Sequence, residues 1–361
     1  MKILQLIQKK QLRGAEIFAA QLSSHLVEQG HHVIMVSLID GEAKLPFQGK
    51  IVSLNVNIRQ KMIDVTGWKK LADLIADFCP DIIQANAGDT LKYAIFSKKL
   101  FRWNQPIVFR NASMISNYAR GFFPKKLISY LLNNTKHIIA VSDTTKQDLV
   151  NHFNISSKKI TAIPVGIELQ SYKSIAAFDN NKINLVHVGG FSFEKNHKGL
   201  LSIFKKLLSK NGSFQLWLLG DGPLRKKIED LAFELGLAQQ VHFLGFVDNP
   251  IDYINAADML LLPSIIEGLP GVILEAFYCK TLVVANDVGA ISELIIDHKT
   301  GRLIKKEDEA SFVEAIMTLY SMDPSLKIKI TTLANEVVMR DYINKINTQK
   351  FIDLYSSLIL G

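Results

Sequence analysis

Glu267 and Glu275 bracket seven residues of which none is charged and two, Gly268 and Gly271, are glycines. They follow directly on an apolar run from Met259 to Leu262. A carboxylate accepts well from the two hydroxyls of a vicinal diol, so two carboxylates at this spacing suit a ligand with more than one diol. Between them lies Leu269-Pro270, and proline is tolerated in the first turn of a helix. No Ser, Thr, Asp or Asn stands at the expected N-cap near Leu269, which leaves the first-turn amides without a local side-chain acceptor. Orphan amides at the positive end of a helix dipole suit a diphosphate, and the glycines let it approach the backbone. Lys195 and Lys198 stand together in Glu194-Lys195-Asn196-His197-Lys198 and, as residues alone, read as solvated loop lysines.

The elements that must position these groups follow from apolar periodicity. Ala257 to Pro263 reads as a buried strand, Ser264 to Leu269 as a loop and Pro270 to Cys279 as a helix. Upstream, a strand from Asn184 to Val188 runs into Gly189-Gly190 and the lysine-bearing loop. Strands are also expected at Phe214 to Gly220 and at Val241 to Gly245, the latter followed by Phe246-Val247; Thr281 to Ala285, Gly289 to Ile295 and Thr300 to Ile304 finish that sheet. In the first half, Lys2 to Ile7, Val33 to Leu38, Ile51 to Leu54, Asp81 to Gln84 and Ile107 to Arg110 are apolar strands separated by helical segments, the pattern of a parallel sheet covered on both faces. Ligands of such sheets sit at the carboxyl ends of the strands. Asn86, Arg110 and Asn111 lie there and are acceptor candidates, with turn formation as the alternative reading. Gly14 opens the first helix, where its amide could meet a phosphate. A dinucleotide site would need G-x-G-x-x-G in that loop; only Gly14 is present, so NAD is not expected.

Length and charge bound the whole. A chain of 361 residues exceeds what one core usually supports, so two domains are expected, at 1–170 and 184–340, with a linker at 171–183 and a last helix at 341–361. The only cysteines, Cys79 and Cys279, form no C-x-x-C pair, which fits a reduced cytoplasmic protein and neither zinc nor a disulfide framework. No apolar run approaches the ~20 residues that span a bilayer. Residues 1–175 hold 23 Lys and Arg against 12 Asp and Glu, a net +11, and residues 176–361 hold 19 against 22, a net −3. The basic half would attract an acidic acceptor or an anionic membrane surface. Tyr118 to Asn134 mixes Arg120, Lys125 and Lys126 with Phe122 and Phe123, which fits either a membrane-interface segment or a helix packed on the sheet. No stacking motif or nucleic-acid module is present, so nucleic acid is not an expected partner.

With these residues in view, the chain resembles the retaining glycosyltransferases of family 4, whose signature is the E-x7-E segment. Gly-Asp-Gly-Pro-Leu at 220–224, the Glu-Lys-Asn-His stretch and Val-His-Phe-Leu-Gly at 241–245 extend the resemblance. It implies an α/β GT-B fold, two Rossmann-like doubly wound domains facing a cleft, with the last helix crossing back. It also implies a nucleotide-sugar donor, with UDP as the expected base, held by Gly14, Gly190, Lys195, Phe246, Val247, Glu267, Gly268, Leu269, Pro270, Gly271 and Glu275. Glu267 would contact the sugar, Glu275 the ribose, and Lys195 the diphosphate; Lys195 and Glu267 would be catalytic, with no metal or other cofactor. The acceptor would be a surface glycan, lipopolysaccharide or capsule, or a lipid-linked precursor made at the inner membrane face. Gly190 stands where the family commonly has an arginine, with Lys198 or Arg13 as replacements, and Gln84, Asn86 and Asn111 stand where relatives carry histidines. The alternatives are a non-catalytic nucleotide-sugar-binding protein and a GT-B epimerase.

Overall fold

The structure, a computed structural model, describes residues 1–57, 62–119, 121–173, 175, 178–179 and 181–360. They form two compact units, Met1–Gly166 with Asn344–Gly361, and Ile167–Ile343. The first is built on β1 (Lys2–Lys9), α1 (Gly14–Glu28), β2 (His32–Ile39), β3 (Ile51–Ser53), α2 (Val65–Phe78), β4 (Ile82–Ala85), α3 (Gly88–Phe101), β5 (Ile107–Asn111), α4 (Phe122–Asn133), β6 (His137–Ala140), α5 (Asp143–Phe153) and β7 (Ile160–Ala162). All pairs in its seven-stranded sheet, order β3-β2-β1-β4-β5-β6-β7, are parallel. Alternate residues of β1 enter different cores: Leu4 and Leu6 join one, Ile3 and Ile7 the other. Burial on both faces is why these strands read as unbroken apolar runs.

The second unit contains β8 (Ile183–Val188), α6 (His197–Lys210), β9 (Phe214–Leu219), α7 (Arg225–Glu234), β10 (Val241–Gly245), α8 (Pro250–Ala256), β11 (Met259–Leu262), α9 (Gly271–Tyr278), β12 (Leu282–Asp287), α10 (Ile291–Leu294), β13 (Arg302–Lys305), α11 (Glu309–Ser321) and α12 (Pro324–Asp341). Its parallel sheet runs β10-β9-β8-β11-β12-β13. Strand order reverses between β8 and β11 here, and between β1 and β4 in the first unit; such switch points open a crevice at the carboxyl ends. The final helix, α13 (Asn344–Leu360), belongs to the first unit, where Phe351 and Tyr355 are fully buried. The Phe351 ring meets Phe18 of α1 at 5.7 Å.

Two expectations are corrected. Gly289 to Ile295 does not add a strand: Ile291–Leu294 form the short helix α10, since the run is too short and too mixed for periodicity to separate the two. The stretch 171–183 is no free tether. Lys173 N–H donates to Asp252 Oδ1 at 2.6 Å and the Phe178 ring lies 4.6 Å from Trp217, so the stretch is fastened to the second unit at these two residues. Residues 174, 176, 177 and 180 of that stretch, and Arg120 of the basic aromatic segment, lie outside the described residues. No helix among the described residues is long and apolar enough to cross a membrane.

Candidate functional site

Of the residues singled out in the second half of the chain, Lys195 and Glu267 meet at the β8/β11 switch point, while Phe246 and Val247 lie beyond the edge strand β10. After β11 the chain enters a loop from Pro263 to Pro270 that is fastened on both sides. Ile265 N–H donates to Glu194 O at 2.8 Å and Asn196 Nδ2 to Pro263 O at 3.1 Å, tying it to the turn that follows β8. On the other side Asn286 Nδ2 donates to Ser264 O at 3.2 Å and Ala290 N–H to Gly268 O at 2.9 Å. Lys195 and Glu267 are thereby brought together from opposite loops, and Lys195 Nζ donates to Glu267 Oε1 at 2.6 Å. Glu267 is 9% exposed and Lys195 23%, so the pair is shielded yet open to solvent on one side.

Leu269 and Pro270 are buried and lead into α9, whose N-cap is Pro270, with no side chain capping the helix. The space around Gly271 is empty: a Cβ there would meet no atom within 4 Å. The protein's own packing therefore does not demand a glycine at this position, although a ligand approaching the helix amides would. Glu275 lies one turn further along, partly buried, and burial pushes its carboxyl up to about 7.

The glycine turns after β8 and β9 pack backbone to backbone. A Cβ on Gly220, at φ +128°, would lie 2.2 Å from Gly189 O, and one on Gly222 would lie 2.7 Å from Phe191 O. Phe191 N–H donates to Asp221 O at 3.0 Å, and Asp221 Oδ1 accepts from Gly222 N–H, which makes Asp221 a turn residue. Gly190 is exposed beside this junction. Phe246 is 61% exposed and Val247 partly buried just beyond β10. Lys198 lines a groove of about 550 Å³ with Asn196, Pro263, Ile265 and Asn286. Among the described residues no three His, Cys, Asp or Glu side chains gather as a metal could use them.

Sequence reasoning missed two supports. Gly289, at φ +61°, sits so close beneath the loop that a Cβ would lie 2.1 Å from Glu267 O; its place just ahead of a short helix was the available signal. His187 and His197 form a buried edge-to-face pair, ring centroids 4.8 Å apart, with His197 stacked on Phe191 at 4.0 Å. His187 Nδ1 donates to Leu261 O at 2.8 Å, and burial lowers its pKa to about 4 and that of His197 to about 2, so both rings are neutral. No pattern in the sequence marks them as partners.

Gly14, Asn86, Arg110 and Asn111 belong to the first unit. Gly14 is exposed at the start of α1, which has no side-chain cap. The register pairs Ala85 with Phe109, so Asn86 and Arg110 lie side by side on one face. Both are buried, in a polar seam under α1 and α13. Asn86 Nδ2 donates to Gln5 Oε1 at 2.9 Å, Gln84 Nε2 to Asn86 Oδ1 at 2.9 Å, and the Tyr355 hydroxyl to Gln84 Oε1. The Arg110 guanidinium lies 3.7 Å over the Phe18 ring, and burial lowers its pKa to about 9. Its Nε and Nη1, and Asn111 Nδ2, have no partner.

Comparison with known proteins agrees with this architecture. Residues 12–171 match the family model described as Glycosyltransferase Family 4, and residues 170–331 the model described as Glycosyl transferases group 1. The N-acetylgalactosamine-N,N'-diacetylbacillosaminyl-diphospho-undecaprenol 4-alpha-N-acetylgalactosaminyltransferase of Campylobacter jejuni is 30% identical over 213 residues, 58% of this chain and 57% of that protein. The chain thus spans little more than half of that relative. The phosphatidylinositol N-acetylglucosaminyltransferase gpi3 subunit of Schizosaccharomyces pombe is 23% identical over 90% of this chain and 73% of its own. Among solved structures, Anabaena HepE in complex with UDP superposes with a TM-score of 0.82 at 19% identity, over 99% of this chain and 100% of that one. Sucrose-phosphate synthase from Thermosynechococcus elongatus gives 0.87 at 19% identity, with both chains covered in full.

Proposed function

Because the chain belongs to the family 4 glycosyltransferases, of GT-B type, we propose that it moves a sugar from a nucleotide-diphosphate donor, a UDP-sugar, to a hydroxyl of a surface glycan or lipid-linked acceptor, with retention at the anomeric carbon. The observation that carries the donor half is the Lys195–Glu267 pair beside an uncapped helix whose first residue is a glycine with empty space around it. The Campylobacter and Schizosaccharomyces relatives bear names of transferases that act on lipid-linked acceptors, and HepE was solved with UDP; these support the choice of acceptor and base.

In this reading the α9 amides and Lys195 hold the diphosphate, Glu267 accepts from sugar hydroxyls, and Glu275 accepts from the ribose diol. Donor binding then exchanges partners: Lys195 turns from Glu267 to the phosphate, and Glu267 is released to the sugar. The bond from the anomeric carbon to the phosphate oxygen breaks while the acceptor oxygen attacks from the same face, and its proton passes to the departing phosphate oxygen. Once that exchange is made, negative charge on the leaving diphosphate is met by a cation and oriented amides already in place when the bond breaks. For the acceptor we propose contacts in the first unit, at the carboxyl ends of β4 and β5.

Melting curves with a panel of nucleotide diphosphates, on the wild type and Glu275→Ala, test the donor site. A UDP-specific rise that vanishes in the variant is expected; at a concentration 100-fold above Kd it corresponds to about 2.7 kcal/mol. No shift with any nucleotide would falsify the donor reading. A donor site without transfer to any acceptor would instead favour the non-catalytic binding protein.

A further inference from the structure

The first turn of α4 is built unlike a helix that merely covers a sheet. Its C-terminal half does that work: Leu131 and Leu132 are buried, and Leu127 and Ile128 pack against the core. Every residue from Gly121 to Lys126 is exposed. Phe122 and Phe123 are 65% and 81% exposed, with their rings 5.7 Å apart, and Lys126 Nζ lies 4.5 Å over the Phe122 ring. Two neighbouring phenylalanines held in water on a folded surface expose apolar area that a partner would cover.

Charge narrows the partner. From Thr90 to Ser142 the chain carries nine Lys and Arg and no Asp or Glu, and α4 itself has no acidic residue. Lys125 and Lys126 sit in the same turn as the two rings, so apolar and cationic groups face outward together. That pairing fits an interface with hydrocarbon just below a layer of negative headgroups. We propose that the first turn of α4 docks this protein on an anionic phospholipid bilayer, the two phenylalanines entering the acyl boundary and the lysines resting at phosphate level. The surface belongs to the first unit alone and stands whether or not the second unit binds a nucleotide.

The test is co-sedimentation of the full chain with extruded vesicles of phosphatidylcholine alone, or with about a third phosphatidylglycerol. Binding is expected only to the anionic vesicles, and weaker in about 0.5 M salt. The double variants Phe122→Ser/Phe123→Ser and Lys125→Glu/Lys126→Glu are each expected to lower partitioning roughly tenfold or more. Because all four side chains are exposed, both variants should melt like the wild type and keep its response to UDP, which separates lost docking from lost folding. No binding to anionic vesicles, or binding that both variants retain, overturns the proposal. So does a concentration-dependent dimer in sedimentation velocity that the phenylalanine variant abolishes, since the patch would then be covered by a second copy.

Discussion

Replacing Lys195 by Ala removes the cation facing Glu267 and, in the proposed reaction, the cation that meets the departing diphosphate. Loss of one such group typically costs about 10²- to 10³-fold in turnover. Lys195 is only partly buried, so the melting temperature is expected to move by a few degrees at most; a variant with wild-type kcat would remove Lys195 from the chemistry. Glu275 makes a prediction about pH. Its carboxyl is pushed up to about 7 from an ordinary 4.5 by burial, so the folded chain holds a proton that the unfolded chain releases. The group's contribution to stability is present below the unfolded value and is lost as pH rises through about 7. Melting curves of Glu275→Gln should lose that part of the slope. Ribose hydroxyls donating to the carboxylate favour its ionised form, so UDP binding is expected to release a proton near neutral pH. Calorimetry in two buffers of different ionisation enthalpy would read it, and zero release would separate Glu275 from the ribose.

Gly271 and Gly289 flank the same loop and separate architecture from ligand. A Cβ at Gly289 would strike Glu267 O at 2.1 Å on a backbone at φ +61°, whereas one at Gly271 meets nothing. Gly289→Ala is therefore expected to cost roughly 1–3 kcal/mol of stability, and Gly271→Ala nothing measurable in melting. If the α9 amides hold the diphosphate, Gly271→Ala still raises the donor KM, by about tenfold; an unchanged KM would place the phosphate elsewhere. The same contrast shows what could be read in advance. Apolar strands, the glycine turns after β8 and β9 and the uncapped helix are local, and so is their chemistry. Whether a glycine faces a neighbouring loop or open space depends on residues far away in the chain. The burial of Arg110 was hidden for a like reason: a strand-end arginine reads as solvent-facing, but the pleat turns it under Phe18. Its two neighbours in the reading, Asn86 and Asn111, are buried with it.

At the scale of the whole molecule, the two units divide between them the families of features seen in the sequence. The acidic pair, the lysine and the glycine turns fall in Ile167–Ile343, and the excess positive charge falls in the other. The domain count followed from length, but the boundary did not, because the stretch at 171–183 is polar in composition and yet packed through Lys173 and Phe178. The clearest prediction here concerns α13. Phe351 is fully buried against Phe18, so Phe351→Ala is expected to cost about 3–5 kcal/mol and to speed hydrogen exchange in the first unit while leaving the UDP response of the second intact. Equal acceleration in both units would contradict the division. The anchoring of α13 by Phe351 and by the Tyr355–Gln84 hydrogen bond also sets a timetable. Residues 1–166 leave the ribosome nearly two hundred residues before Tyr355 does, a wait of roughly 10 to 40 s at ordinary synthesis rates. Through that interval the nascent first unit carries an unfilled apolar groove, and a chain cut short before residue 344 would never fill it.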